Sequence, residues 1–220
     1  MTLRAVITDW GGVLTSPLNE AVAAWLAADQ IDVEAYKRVM RAWFQGAYNG
    51  DATLAVAGPG NLIHQLEDGS LAPAEFERLL SLELRTVTGG VVPPEGLLDR
   101  MFAEFAPVEH MYETILACRA AGLRTALLSN SWGNTYPRER WAAMFDAVVI
   151  SGEVRMRKPA PEIFDHAVTL LEVDAAECVF IDDIPANIAA AEQLGMVGVL
   201  HTDPVETRAR LGELFALPLA

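Results

Sequence analysis

Apolar residues come in short unbroken blocks in some parts of the chain and recur at helical spacing in the rest. Residues 3–8 form the first block and predict a buried strand. From residue 18 to about 85 the spacing turns helical. Ala21, Val22, Trp25 and Leu26 make one apolar face, and Tyr36, Val39, Met40, Trp43 and Phe44 make another. Residues 46–60, rich in Gly, Ala and Asn, predict a loop or a broken helix. Pro73 starts a further helix over 74–84. The run Gly89-Gly90-Val91-Val92-Pro93-Pro94 is a break, and a helix over 95–105 is expected after it.

Beyond Pro107 the rhythm changes to alternating helices and apolar strands. Helices are predicted over 108–121 (with Gly122 at its C-terminal end), 161–171, 186–194 and from 204. Strands are predicted over 125–128, 147–150, 178–181 and 197–200. Such alternation implies an α/β fold, a doubly wound parallel sheet of Rossmann type with helices on both faces. The helical stretch 16–106 then reads as a cap domain inserted after the first strand. Residues 1–15 and 107–220 form the α/β core domain.

Acids mark the ends of two of these strands. The first block stops at Asp9, and Gly11 and Gly12 follow, which suits a strand tip where a ligand nears the backbone. The strand 178–181 runs into Asp182 and Asp183. If the two strands are parallel neighbours, three carboxylates converge at one sheet edge. A cation is needed to hold them ionised together, and hard oxygen ligands favour Mg2+. Ser129-Asn130-Ser131 and Lys158-Pro159 also follow strands or sit just beyond one. An acid, a hydroxyl, a lysine and an acid pair are the parts of phosphoryl transfer. The carboxylate attacks phosphorus, while metal and lysine offset the charge in transit.

Composition narrows the partners. The 220 residues are 52% hydrophobic, enough for a full core, and carry a formal net charge of −14. That charge argues against nucleic acid and anionic membranes as partners, but leaves room for a small phosphorylated substrate. The segment before Asp9 is too short for a signal peptide, and no apolar run reaches membrane-spanning length. Cys118 and Cys178 lack metal-ligand spacing and are expected to be buried thiols of a cytoplasmic protein.

In order and context, these segments resemble the four motifs of the haloacid dehalogenase-like (HAD) hydrolase superfamily, subfamily IA. The nearest branch contains the phosphatase-like N-terminal domain of soluble epoxide hydrolases. The likeness is carried by Asp9-Trp10-Gly11-Gly12, Ser129-Asn130-Ser131-Trp132, Arg157-Lys158-Pro159, Ile181-Asp182-Asp183-Ile184-Pro185-Ala186-Asn187, and Asp68-Gly69-Ser70-Leu71-Ala72-Pro73-Ala74-Glu75-Phe76 in the insertion. The resemblance implies Asp9 as nucleophile and magnesium ligand. It implies Ser129 as the phosphoryl-binding hydroxyl, helped by the Asn130 backbone, and Lys158 as the neutralising cation. Asp183 would ligate the metal directly, Asp182 would support it, the Gly11 carbonyl would add a contact, and Asn187 would steady the loop. Trp10, Trp132 and Trp43 are candidate pocket walls, set against the commoner role of aromatic core; Trp10 is counted with Gly11 among the substrate contacts. Arg155 and Arg157 read as surface cations.

The chain departs from the family's phosphatases at Gly11, where an Asp usually serves as general acid and base. Loss of such help typically costs ~10²–10⁴ in rate. His64 in the insertion is a candidate replacement. The expected activity is magnesium-dependent hydrolysis of a small phosphorylated metabolite through an aspartyl-phosphate. The alternatives are a haloacid dehalogenase, disfavoured by the acid pair, and a non-catalytic phospho-ligand-binding protein of the same fold.

Overall fold

The computed structural model describes residues 2–44, 61–133 and 136–218. Five strands, β1 (Ala5–Thr8), β2 (Arg124–Ser129), β3 (Ala147–Ile150), β4 (Cys178–Asp182) and β5 (Val197–Leu200), form one parallel sheet in the order β3-β2-β1-β4-β5. Helices α1 (Leu18–Ala28), α2 (Val33–Phe44), α3 (Leu62–Glu67), α4 (Pro73–Glu83) and α5 (Leu97–Met101) follow β1. Helix α6 (Glu109–Ala120) leads into β2 and α7 (Trp141–Met144) into β3. Helices α8 (Ser151–Val154) and α9 (Pro161–Leu171) precede β4, α10 (Pro185–Gln193) precedes β5, and α11 (Pro204–Phe215) comes last.

The sheet is covered on both faces, which is why its strands read as unbroken apolar blocks. Ala5 and Ile7 of β1 pack with Ile163 and Phe164 of α9 and Ile188 of α10. Val6 points the other way, into a cluster with Met111 and Ile115 of α6 and Leu211 of α11. The chain runs outward from β1 through β2 to β3, then crosses back to add β4 and β5 on the other side of β1. That reversal opens a crevice between the carboxyl ends of β1 and β4, the usual ligand position in such sheets. Register places Thr8 beside both Leu127 and Ile181, so Asp9 emerges level with the ends of β2 and β4.

Helices α1 to α5 gather a third apolar cluster, which includes Trp25, Ile31, Phe76, Leu80, Leu97 and Met101. Ala21, Val22, Trp25 and Leu26, the face expected from spacing, are the buried residues of α1. Trp132, from the loop after β2, packs against the same cluster. Trp43 sits edge-on to Phe76, with centroids 5.5 Å apart, as cluster packing rather than pocket wall. No helix among the described residues is long and apolar enough to cross a membrane.

Several expected boundaries shift. The first strand begins at Ala5 rather than residue 3, although Arg4 already pairs with the backbone of Glu177 and Arg124. The helix expected over 95–105 shrinks to Leu97–Met101. Gly96 enters it at φ 66°, and beyond Met101 the chain turns so that Phe102 and Phe105 face the crevice. Helix α3, not singled out by spacing, is nucleated by Asn61, whose side chain accepts the N–H groups of Ile63 and His64. The loop expected over 46–60 lies outside the described residues.

Candidate active site

The ends of β1 and β4 and the loop after α8 deliver charged groups to one edge. Asp9 continues β1, its N–H donating to Ile181 O at 2.8 Å. Asp182 is the last residue of β4 and fully buried. Lys158 comes from the loop between α8 and α9, with 1% of its surface exposed. Its Nζ lies 2.9 Å from Asp9 Oδ1 and 2.7 Å from Asp182 Oδ2. Burying an amine this deeply requires paired anions, and the two carboxylates supply them.

Asp182 is saturated by the protein. Besides Lys158, it accepts the Ile184 N–H at 2.8 Å and the Asn187 side-chain amide at 3.1 Å on each oxygen. Asp183 is half-buried and borders the crevice. Ligand oxygens of Asp9, Asp182 and Asp183 lie within 4.8 Å of one another. Gly12 makes room for this: its φ is 73°, and a Cβ there would sit 2.3 Å from Asp183 Oδ2.

The electrostatics follow from that crowding. Burial raises the Asp9 carboxyl to about 7; Lys158 pulls it down, while Asp182 and Asp183 push it up. Burial, then Asp182, raises Asp183 to about 6. Burial works against the charge on Lys158, but attraction and hydrogen bonds to Asp182 and Asp9 hold its pKa above the ordinary lysine value.

Ser129 ends β2 and faces the crevice at 2% exposure, its hydroxyl 3.0 Å from the Tyr136 phenol oxygen. The Asn130 side chain is spent on the neighbouring loop: its amide donates to Lys158 O at 3.0 Å, and its carbonyl accepts Lys158 N–H at 2.8 Å. That exchange ties the ends of the β2 and α8 loops together. Asp9, Trp10, Gly11, Ser129, Asn130, Lys158 and Asp183 all line one cavity, with Asn187 at its rim. Of the residues expected to hold the phosphoryl group or the metal, Asp182 stands behind the wall and the others border the same space.

Apolar side chains complete that wall: Leu18, Phe102, Phe105, Trp132 and Ile184. Glu67, at the end of α3, also lines it. The Glu67 carboxylate accepts Arg157 Nε at 2.7 Å and Trp132 Nε1 at 3.2 Å, and burial raises its pKa. Arg157 is thus buried in an ion pair, contrary to the surface role expected for it, whereas Arg155 is exposed. The basic run around Lys158 carries no local sign of this, because the partner acid is ninety residues away. His64 does not border the cavity, and burial followed by Arg157 lowers its pKa to about 4. A neutral, buried imidazole away from the crevice cannot stand in for the acid missing at Gly11. Tyr136, Glu67 and the two phenylalanines were not anticipated. An acid ending an apolar helical turn was the one available signal, and it singled out nothing on its own.

The sequence model of the haloacid dehalogenase-like hydrolase family matches residues 3–195. The chain belongs to the haloacid dehalogenase-like hydrolases. Acyl-CoA dehydrogenase family member 10 of Mus musculus is 29% identical over 224 residues, covering 98% of this chain and 19% of that protein. Bifunctional epoxide hydrolase 2 of Rattus norvegicus is 26% identical over 229 residues, covering 97% of this chain and 38% of its own length. The chain therefore spans well under half of either relative. A HAD family enzyme of Bacteroides thetaiotaomicron shares the fold at TM-score 0.64 and 21% identity, over 92% of this chain and 95% of that one. The wild-type form of that enzyme has also been solved in complex with magnesium and inorganic phosphate, at TM-score 0.57 to this chain.

Proposed function

We propose that this HAD-like hydrolase is a magnesium-dependent phosphatase, cleaving a small phosphorylated metabolite through an aspartyl-phosphate at Asp9. The observation that carries the reading is the Lys158 bridge between Asp9 and the saturated Asp182, with Asp183 left free of that bridge at the crevice. A buried lysine set 2.9 Å from a strand-end carboxylate places cationic charge where a phosphoryl group would meet Asp9. The donor set suits a hard divalent ion: Asp9 and Asp183 carboxylates, with the Gly11 carbonyl, beside a Gly12 cradle that a Cβ would fill. Bound there, magnesium would neutralise the charge of the phosphoryl group.

The chain's own residues supply the rest. An Asp9 oxygen attacks phosphorus, forming an Asp9 O–P bond as the ester P–O bond breaks. Lys158 offsets the negative charge of both partners. The Ser129 hydroxyl and backbone N–H groups of the Asn130 turn hold phosphoryl oxygens, and the Asn130 side chain keeps that turn fixed to Lys158. Water then hydrolyses the acyl phosphate and returns Asp9. The apolar wall of Trp10, Phe102, Phe105 and Trp132 would take the leaving group. The Bacteroides enzyme's complex with magnesium and phosphate supports this reading by fold analogy.

The test is release of inorganic phosphate from 4-nitrophenyl phosphate with magnesium, with chelator, and with Asp9→Asn. Activity in the first arm alone is expected. Halide release from a 2-haloacid in chelator would replace the phosphatase with a dehalogenase.

A further inference from the structure

The Ser129 hydroxyl carries one proton, and two partners compete for it. One is the Tyr136 phenol oxygen at 3.0 Å, a contact in which either oxygen could donate. The other is whatever anion enters the crevice that Ser129 borders. If Ser129 gives its proton to Tyr136, only lone pairs face an incoming phosphoryl oxygen, and the contact is repulsive. If Tyr136 donates instead, the serine proton is free to point into the crevice. We infer that Tyr136 is a positioning residue, whose phenol O–H donates to Ser129 Oγ and so reserves the serine proton for a phosphoryl oxygen. This rests on Ser129 meeting a phosphoryl group, as proposed above.

The surroundings of Tyr136 fit that task. Its ring lies between Trp10, with centroids 4.8 Å apart, and Trp141, at 5.4 Å. Trp10 follows Asp9 directly and lines the crevice, so ring packing fixes the phenol relative to the nucleophile. Burial pushes the Tyr136 phenol up to about 12, so it remains a protonated donor wherever the site works. Ser131 also lies close enough to act on the phenol, so the phenol's effect on Ser129 has to be isolated from its other neighbours.

Tyr136→Phe removes the hydroxyl and keeps the ring between the two tryptophans. One hydrogen bond of this kind is worth about 3- to 10-fold in affinity. That loss is expected chiefly in KM for 4-nitrophenyl phosphate with magnesium, because the serine contact is made in the bound and the transition state alike. The deciding measurement is the double-mutant cycle with Ser129→Ala. In the Ser129→Ala background Tyr136→Phe is expected to cost nothing further. An equal loss in both backgrounds would make Tyr136 a packing residue only and overturn the inference, as would no loss in either. The same four proteins are titrated calorimetrically with inorganic phosphate in magnesium. If wild type binds phosphate and shows the coupling but hydrolyses nothing, the inference stands and the phosphatase reading falls. If wild type does not bind phosphate, both fall.

Discussion

Replacing Asp9 by Asn tests how the site stores electrostatic strain. The Asp9 carboxyl titrates at about 7 in the fold against an ordinary 3.8, raised mainly by burial. A folded-state pKa above the unfolded one means the folded chain holds this proton more tightly. Below pH ~4 both states are protonated and the group is neutral to stability. As pH rises from there to about 7, the unfolded chain ionises first and the folded state loses ground. Above pH 7 the full cost applies. Moving the carboxyl from 3.8 to about 7 sets an upper bound of about 4 kcal/mol on that cost. Asn mimics the protonated acid, so without metal Asp9→Asn should be more stable than wild type at pH 8 and equal to it near pH 4. A gain of about 1–3 kcal/mol is expected, because the amide holds Lys158 less well than a carboxylate, and for a domain of this size that is about 2–12 °C in Tm. Magnesium should narrow the gap: an ion at 100 times its Kd adds about 2.7 kcal/mol to wild type, and less to a variant missing one ligand. The assay is thermal unfolding of both proteins from pH 4 to 8, in chelator and in magnesium. A variant less stable than wild type at pH 8 in chelator, or a difference flat with pH, would refute the argument.

Two further substitutions probe the glycines after Asp9. A Cβ at Gly11 would meet nothing within 4 Å, so the first atom of an Asp side chain is unobstructed, and Gly11→Asp restores the acid that the family's phosphatases carry there. Alkyl phosphates should gain more than aryl phosphates, by at most ~10²–10⁴, since their leaving groups depend most on a proton; equal shallow slopes of log rate against leaving-group pKa, before and after the change, would show that another group already donates. Gly12→Ala forces φ 73° on a side chain whose Cβ meets Asp183 Oδ2 at 2.3 Å. It should push Asp183 aside and weaken magnesium binding by roughly tenfold or more, the loss of one good ligand contact, as read by calorimetry; an unchanged affinity would remove Asp183 from the ligand set.

Local pattern carried much of the fold. The apolar blocks at β1, β3, β4 and β5 and the Pro-led helices α4, α9 and α11 were legible because a strand buried on both faces has no polar alternation to confuse it, and because Pro marks a first helical turn. That Asp9, Ser129 and Asp183 reach one sheet edge was legible for a related reason: each stands at or just beyond a strand end, whereas Lys158, separated from β3 by helix α8, was singled out by its motif and not by strand order. Helix α5 was overestimated because Phe102 and Phe105 continue the helical spacing, whereas in the fold they leave the helix and pack against Trp132 and Trp10 beside the crevice. What the tertiary structure alone decided are the contacts between segments far apart in the chain. Arg157 is buried because Glu67 comes from α3, and Asp182 is saturated because Lys158 and Asn187 converge on it. Tyr136 meets both the Ser129 hydroxyl and the Trp10 ring. Pairings of this kind depend on three-dimensional proximity and leave no spacing in the sequence, whereas strand and helix periodicity is written in neighbouring residues.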